Sequence, residues 1–271
     1  MEKRRRRQVF LAQNFLRSPG LVRRLVATSS IGPGDVVYEI GPGKGIITAE
    51  LARAAKRVVA IEKDPKLVRR LRERFRGVEN IEIIENDFLQ FSIRERDYKI
   101  FANIPYSITA SIVRKILYAP PVPSEAYLIL QKEPARKFSG SPSETLFSLL
   151  AKPFFEFQMV MELRRTDFEP VPNVDSVHLR IARRYAPLLG KEDAALYREF
   201  VQYGFGRWKR CLRSALKPIF TYKQWKRLSQ DLHFPLNATP TELTFEQWLG
   251  LFKAFKQRPA ITDRTAGLSE L

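Results

Sequence analysis

With 271 residues, 44% of them apolar, the chain has material for one full α/β domain and a smaller second one. No apolar run approaches the roughly 18 to 20 residues needed to cross a bilayer, and a single cysteine, Cys211, with only His178 and His233 as histidines, excludes an internal disulfide and a cysteine-based zinc site. A formal charge of +18 points to a polyanionic partner, nucleic acid first, so the expectation is a cytosolic, monomeric, metal-free protein.

The basic arm Glu2–Arg7 has no periodic apolar face, and Gln13 and Asn14 interrupt the apolar stretch that follows, so neither a leader nor an anchor is expected. Ser18-Pro19 reads as an N-cap with proline at the first helical position, opening a helix to about Thr28. Strand and helix then alternate. Strands are predicted at 36–40, 57–61, 81–84, 99–102 and 126–130, and helices at 46–55, 65–75 and 109–118. This is the rhythm of βαβ units and predicts a mostly parallel sheet covered on both faces. Short helices at 133–137 and 145–150 precede a late strand pair, 155–163 and 176–181. After Ala186-Pro187-Leu188-Leu189-Gly190 the strands stop, and helical periodicity recurs at 194–205, 209–216, 222–232 and 245–255. The expected boundaries are therefore an α/β domain at 1–184, a helical domain at 185–256 and a polar tail at 257–271.

Gly41-Pro42-Gly43-Lys44-Gly45 lies between a buried strand and a helix, where glycine allows the backbone to approach a ligand. It lacks the spacing of both the phosphate loop and the dinucleotide fingerprint, which argues against ATP and NAD. Glu62, ending the second strand, is placed to accept both hydroxyls of a ribose, and Asp87, after the third, to accept from an adenine amine. Strand-end solvation or helix capping explains either acid taken singly. Together with the glycine loop they specify a ribose and an adenine without phosphates, which is S-adenosylmethionine.

Asn103-Ile104-Pro105-Tyr106 follows as a clamp for a planar amine. An exocyclic adenine nitrogen is a poor nucleophile because its lone pair is delocalised into the ring. The Asn103 amide oxygen and a following backbone carbonyl would accept its two hydrogens and localise that pair. Pro105 stiffens the backbone and Tyr106 offers a ring on which the target stacks. The base must be extruded or single-stranded, and Phe168, in a loop stiffened by Pro170 and Pro172, is the candidate second face, with core packing as its rival explanation.

For RNA the expected surface is Arg207, Lys209, Arg210, Arg213 and Lys217, continuing through Lys223, Lys226 and Arg227 and interleaved with Trp208, Phe220, Tyr222 and Trp225. The competing reading is a solvated helical face whose aromatics point into a core.

Gln13-Asn14-Phe15-Leu16, Glu39-Ile40-Gly41-x-Gly43-x-Gly45, Asn103-Ile-Pro-Tyr106 and Phe168-x-Pro170-x-Pro172-x-Val174-Asp175-Ser176 together resemble the rRNA adenine N(6)-dimethyltransferases, which unite KsgA-type enzymes with the Erm methyltransferases. The resemblance runs over about residues 8 to 255. It implies a Rossmann-like S-adenosylmethionine-dependent methyltransferase domain with a smaller all-helical C-terminal domain. Ile104, the run 103–112 and the closing 243–252 look Erm-like, implying dimethylation of a 23S rRNA adenine in the peptidyl-transferase loop and resistance to macrolide, lincosamide and streptogramin B antibiotics. A KsgA-like enzyme acting on 16S rRNA is the alternative. DNA or protein-glutamine methylation, and a non-catalytic RNA-binding or transcription-factor relative, are more distant ones. By motif, Asn14 and Leu16 would line the cofactor pocket, Gly41 and Gly43 would approach the methionyl end, and Asn103 would touch both cofactor and target. Ala12, Ala102 and Pro134 depart from the residues the family usually has at those positions.

Overall fold

The computed structural model describes residues 14–207 and 210–257; the basic arm, Gln13, Trp208, Lys209 and residues 258–271 lie outside the described residues. In chain order the elements are β1 (Phe15–Leu16), α1 (Pro19–Ala27), β2 (Val36–Ile40), α2 (Ile46–Ala54), β3 (Arg57–Glu62), α3 (Pro65–Arg74), β4 (Ile81–Glu85) and β5 (Lys99–Asn103). A 3₁₀ turn, Tyr106–Ile108, leads into α4 (Thr109–Tyr118), followed by β6 (Glu125–Gln131), α5 (Lys132–Ser139), α6 (Leu146–Ala151), β7 (Phe155–Leu163), β8 (Phe168–Glu169) and β9 (Ser176–Arg183). Four helices close the described chain: α7 (Lys191–Arg207), α8 (Leu212–Leu216), α9 (Tyr222–Asp231) and α10 (Phe245–Lys256).

Local chemistry sets several of these boundaries. The Ser18 hydroxyl accepts from Leu21 N–H at 3.2 Å, and Pro19 stands where no intrahelical donor is needed. Asp64 caps α3 in the same way, accepting from Lys66 N–H at 2.8 Å. α9 and α10 each open on a Thr/Gln capping box, Thr221 with Gln224 and Thr244 with Gln247.

The seven-stranded sheet has the order β4-β3-β2-β5-β6-β9-β7. β4, β3, β2, β5 and β6 run parallel, and β9 is antiparallel to β6. β2 and β3 read as nearly continuous apolar runs because helices cover both faces. Chain order reverses between β2 and β5, and the crevice beyond the carboxyl ends of those two strands is where an open α/β sheet binds its ligand. β1 and β8 form a separate two-stranded antiparallel ribbon, Phe15 opposite Glu169 and Leu16 opposite Phe168. Two residues per strand leave no periodic signal, so the ribbon was not anticipated from sequence.

The chain divides into two compact units, residues 1–135 with 158–183, and 136–157 with 184–271. The second takes in more chain than the boundary expected at residue 184. Leu149 is fully buried in its apolar cluster, with Leu146, Leu150 and Phe154 packed against it, and Tyr197 Oη donates to Leu149 O at 3.1 Å. Its centre is aromatic: Trp248, Phe252, Phe200, Tyr197 and Trp225 are each at most 1% exposed. Truncating such a side chain in a closed core costs about 3–5 kcal/mol.

His178, fully buried in β9, sits with its ring centroid 5.4 Å from Phe101 and 5.7 Å from Tyr127, and neither ring nitrogen has a hydrogen-bond partner. Burial pushes its pKa from 6.5 down to about 4. Between these values the unfolded chain binds a proton that the folded chain does not. This group's contribution is therefore intact above pH 6.5 and declines by about 1.4 kcal/mol per pH unit toward 4. His178→Phe is expected to lose that slope. Urea melts at pH 7 and pH 5 test it, and an unchanged difference between the two pH values would rule it out.

Candidate active site

The glycine loop leaves β2 with Gly41, Gly43 and Gly45 all at positive φ, 66°, 58° and 76°. Gly41 N–H donates to Ile61 O at 3.0 Å, and Gly43 N–H to Glu62 Oε2 at 3.2 Å, so the loop is fastened to the end of β3. Glu62 is 3% exposed, and its Oε1 accepts from Lys63 N–H at 2.8 Å and Asp64 N–H at 3.0 Å. Three backbone donors thus fix a carboxylate that still has lone pairs for ligand hydroxyls.

Asp87 is likewise held in place. Its Oδ1 accepts from Leu89 N–H at 2.9 Å, and its Oδ2 from Lys63 Nζ at 2.6 Å. The Lys63 ammonium holds the Asp87 carboxyl below its usual pKa, so it remains an acceptor. Glu62 and Asp87 both line a cavity of about 650 Å³, the size of a nucleoside site, together with Gly41, Ile61 and Asn86. Ile108 and Ile112 close another side, one turn apart around the start of α4. Asn86, Ile108 and Ile112 were missed from sequence, where their only signal was adjacency to Asp87 and to the Asn-Ile-Pro-Tyr segment.

A second cavity, about 30 Å³, is lined by Asn14, Phe15, Gly41, Asn103, Pro105 and Tyr106 among others. Gly41 and Pro105 line both, so the large cavity and the Asn103 segment share walls. Asn103 Nδ2 donates to Asn14 O at 2.7 Å, which leaves Oδ1 as its acceptor for an incoming N–H. Tyr106 is half-buried, with its hydroxyl 3.3 Å from Ser176 Oγ.

Two expectations change here. Phe168 is 1% exposed and packs in the same apolar cluster as Leu16, because β8 pairs with β1 and turns the ring inward. In this conformation it is a packing residue, and its face is reached only if the ribbon opens. Leu16, 5% exposed, lines neither cavity; its neighbour Phe15 does, its ring lying under Lys44 Nζ at 5.0 Å.

Glu39 lies in β2, two residues before Gly41. It is 1% exposed, neither of its oxygens has a hydrogen-bond partner, and Thr48 Oγ1 beside it does not reach hydrogen-bond geometry. Burial pushes the carboxyl from 4.5 up to about 8. The folded chain therefore keeps a proton there that the unfolded chain releases, so this contribution is fullest below pH 4.5 and is lost as pH rises through 8, opposite in sense to His178. Two fixed carboxylates lining the large cavity and an open wall at Gly41 fit a nucleoside carrying an amino-acid tail.

In the helical unit Arg207, Arg210 and Lys217 are exposed and Arg213 is half-buried, while Lys209 lies outside the described residues. Arg207 stacks over Tyr203 at 4.7 Å and Arg213 over Tyr222 at 5.3 Å. The interleaved aromatics are mostly not a nucleic-acid face. Trp225 and Phe220 are 1% and 4% exposed, and only Tyr222, at 59%, is open; Trp208 lies outside the described residues. Arg227 pairs with Asp231 at 3.5 Å.

The chain matches the family described as ribosomal RNA adenine dimethylase over residues 4–257. It is 37% identical to an rRNA adenine N-6-methyltransferase of Aeromicrobium erythreum, over 90% of this chain and 72% of that one. It is 30% identical to a ribosomal RNA small subunit methyltransferase A of Acaryochloris marina, over 89% and 94%. The crystal structure of the 23S rRNA methyltransferase ErmE superposes with a TM-score of 0.85 at 33% identity, covering 90% of this chain and all of that one. With the Rossmann-like sheet, the glycine loop and the Asn103 segment in one crevice, these likenesses mean that the chain belongs to the ribosomal RNA adenine dimethylase family, a family of rRNA adenine N6-methyltransferases.

Proposed function

We propose that the protein transfers methyl groups from S-adenosylmethionine to the N6 of one adenine in the peptidyl-transferase loop of 23S rRNA, and so protects ribosomes from macrolide, lincosamide and streptogramin B antibiotics. The observation that carries the chemistry is the shared wall of Gly41 and Pro105 between the nucleoside-sized cavity and the Asn103 segment. The choice of 23S rests on the likeness to ErmE over nearly the whole chain.

S-adenosylmethionine supplies an electrophilic sulfonium methyl. Glu62 takes the ribose hydroxyls, Asp87 the adenine amine, and the Gly41 backbone the methionyl end. Asn103 Oδ1 accepts one hydrogen of the target amine. Pro105 O is already engaged by Ile108 N–H at 3.2 Å and the Thr109 hydroxyl at 3.3 Å, so Ile104 O is the second acceptor. These two bonds favour a pyramidal nitrogen whose lone pair faces the methyl. Tyr106 stacks on the target ring, its hydroxyl steadied by Ser176. Exposed Arg207, Arg210 and Lys217, with Arg213, neutralise RNA phosphates.

A KsgA-like action on 16S rRNA is the second reading, favoured by the similarity to the small-subunit methyltransferase of Acaryochloris marina along 94% of its length. Incubation with radiolabelled cofactor, protein-free 23S fragments and immature 30S particles separates the two. Label is expected in a 23S adenine, and label confined to 30S particles would transfer the assignment to the alternative. No described helix is long and apolar enough to cross a membrane.

A further inference from the structure

We propose that Lys115 is a positioning residue for the adenine end of the cofactor site, an inference that rests on the assignment of Asp87 to the adenine amine. Asp87 begins a tight turn: its carbonyl accepts from Gln90 N–H at 2.8 Å and Phe91 N–H at 2.9 Å, and its side chain accepts from Leu89 N–H. Two carbonyls of the turn, Phe88 O, which also accepts from Phe91 N–H at 3.2 Å, and Phe91 O, converge on one side chain. Lys115 Nζ donates to both, at 2.6 Å each, and lies 5.0 Å from the Phe88 ring centroid. One ammonium thus bonds two converging acceptors and covers the face of the ring that follows Asp87.

The helix carrying Lys115 makes this more than local anchorage. α4 follows the Asn103 to Tyr106 segment directly, and Ile112, one turn before Lys115, lines the large cavity together with Phe88 and Leu89. Behind the turn a small cavity of about 110 Å³, lined by Lys115, Phe88, Phe91 and Tyr98 among others, leaves room for the turn to slide if it is released. Lys115 is half-buried and its pKa is lowered by that burial, as befits an ammonium working against backbone rather than in solvent. It therefore couples the position of Asp87 to the helix that follows the Asn103 to Tyr106 segment, and through Asp87 it sets the preference for a purine bearing an exocyclic amine.

The test compares binding of S-adenosylhomocysteine with S-inosylhomocysteine, in which the purine amine is replaced by a carbonyl. The full-length protein is expected to prefer the amine-bearing nucleoside, and Lys115→Met to lose about tenfold in affinity for it while the inosine compound changes little. RNA affinity should be unaltered and Lys115→Arg should retain most of the preference. Should Lys115→Met fail to fold, Lys115→Gln, which keeps N–H donors without the charge, is expected to show a smaller loss of the same preference. Equal weakening of both compounds, or a preference unchanged by either variant, would overturn the role of Lys115. A wild-type protein indifferent to the amine would instead overturn the assignment of Asp87.

Discussion

Asn103→Ala is expected to lower methyl transfer by roughly 10²–10³-fold, the usual cost of removing one preorganised polar contact to the reacting group. Alanine removes the Oδ1 acceptor that localises the amine lone pair. It also deletes the 2.7 Å bond from Nδ2 to Asn14 O, a link across 89 positions of chain, so the residues from Asn14 onward lose their hold on the crevice. Asn103→Asp separates the two contributions. It keeps an acceptor for the substrate but sets a carboxylate against the Asn14 carbonyl. Single-turnover rates with radiolabelled cofactor and an RNA fragment, read beside the melting temperature, decide the matter. Transfer at the wild-type rate in a folded Asn103→Ala protein would mean that the amine is activated elsewhere.

Gly43→Ala is expected to abolish measurable cofactor binding, whereas Gly41→Ala should yield a stable protein that binds cofactor poorly. Both glycines have positive φ, which costs an L-residue about 1–2 kcal/mol. Their surroundings differ. A Cβ at Gly43 would stand 2.6 Å from Phe15 Cε1, inside contact distance of a ring covered by Lys44 and belonging to the ribbon strand next to Asn14. Relief requires moving either that strand or the loop, and the loop is tied to Glu62 through Gly43 N–H. At Gly41 a Cβ meets nothing within 4 Å, because the space beside it is the cavity itself. Calorimetric titration with S-adenosylhomocysteine and thermal melts of both variants provide the comparison. Equal affinity losses with equal melting temperatures would show that the two positions act only through backbone strain.

What was legible in the sequence was what local chemistry writes into it. Apolar runs such as Val36 to Ile40 announced parallel strands, Ser18-Pro19 marked a helix start, and the glycine loop with Glu62 and Asp87 pointed to one crevice because parallel strand ends converge there. Features depending on distant partners were not legible. Nothing around Phe168 distinguishes a ring free to stack from one pressed against Leu16, since the pairing that decides it comes from the other end of the domain. Phe220, between α8 and α9, and Trp225, in α9, sit among lysines and arginines, yet both are turned into a core that also recruits 146–154 from between two sheet strands. Lys115 carries no sequence signal, because its acceptors are backbone carbonyls, which no side-chain pattern reveals.

The pairing of Phe15 and Leu16 with Glu169 and Phe168 also orders events during synthesis. The strand next to Asn14, whose carbonyl accepts from Asn103, is translated about 150 positions before Phe168 and Glu169 and has no partner until they have been added. At about 5–20 residues per second, that interval is on the order of ten to thirty seconds. Throughout it the nascent chain can carry a folded glycine loop yet lack the completed crevice. The hold of Asn14 on Asn103 is therefore set late in the order of synthesis, after the glycine loop, Glu62 and Asp87 have all been added to the chain.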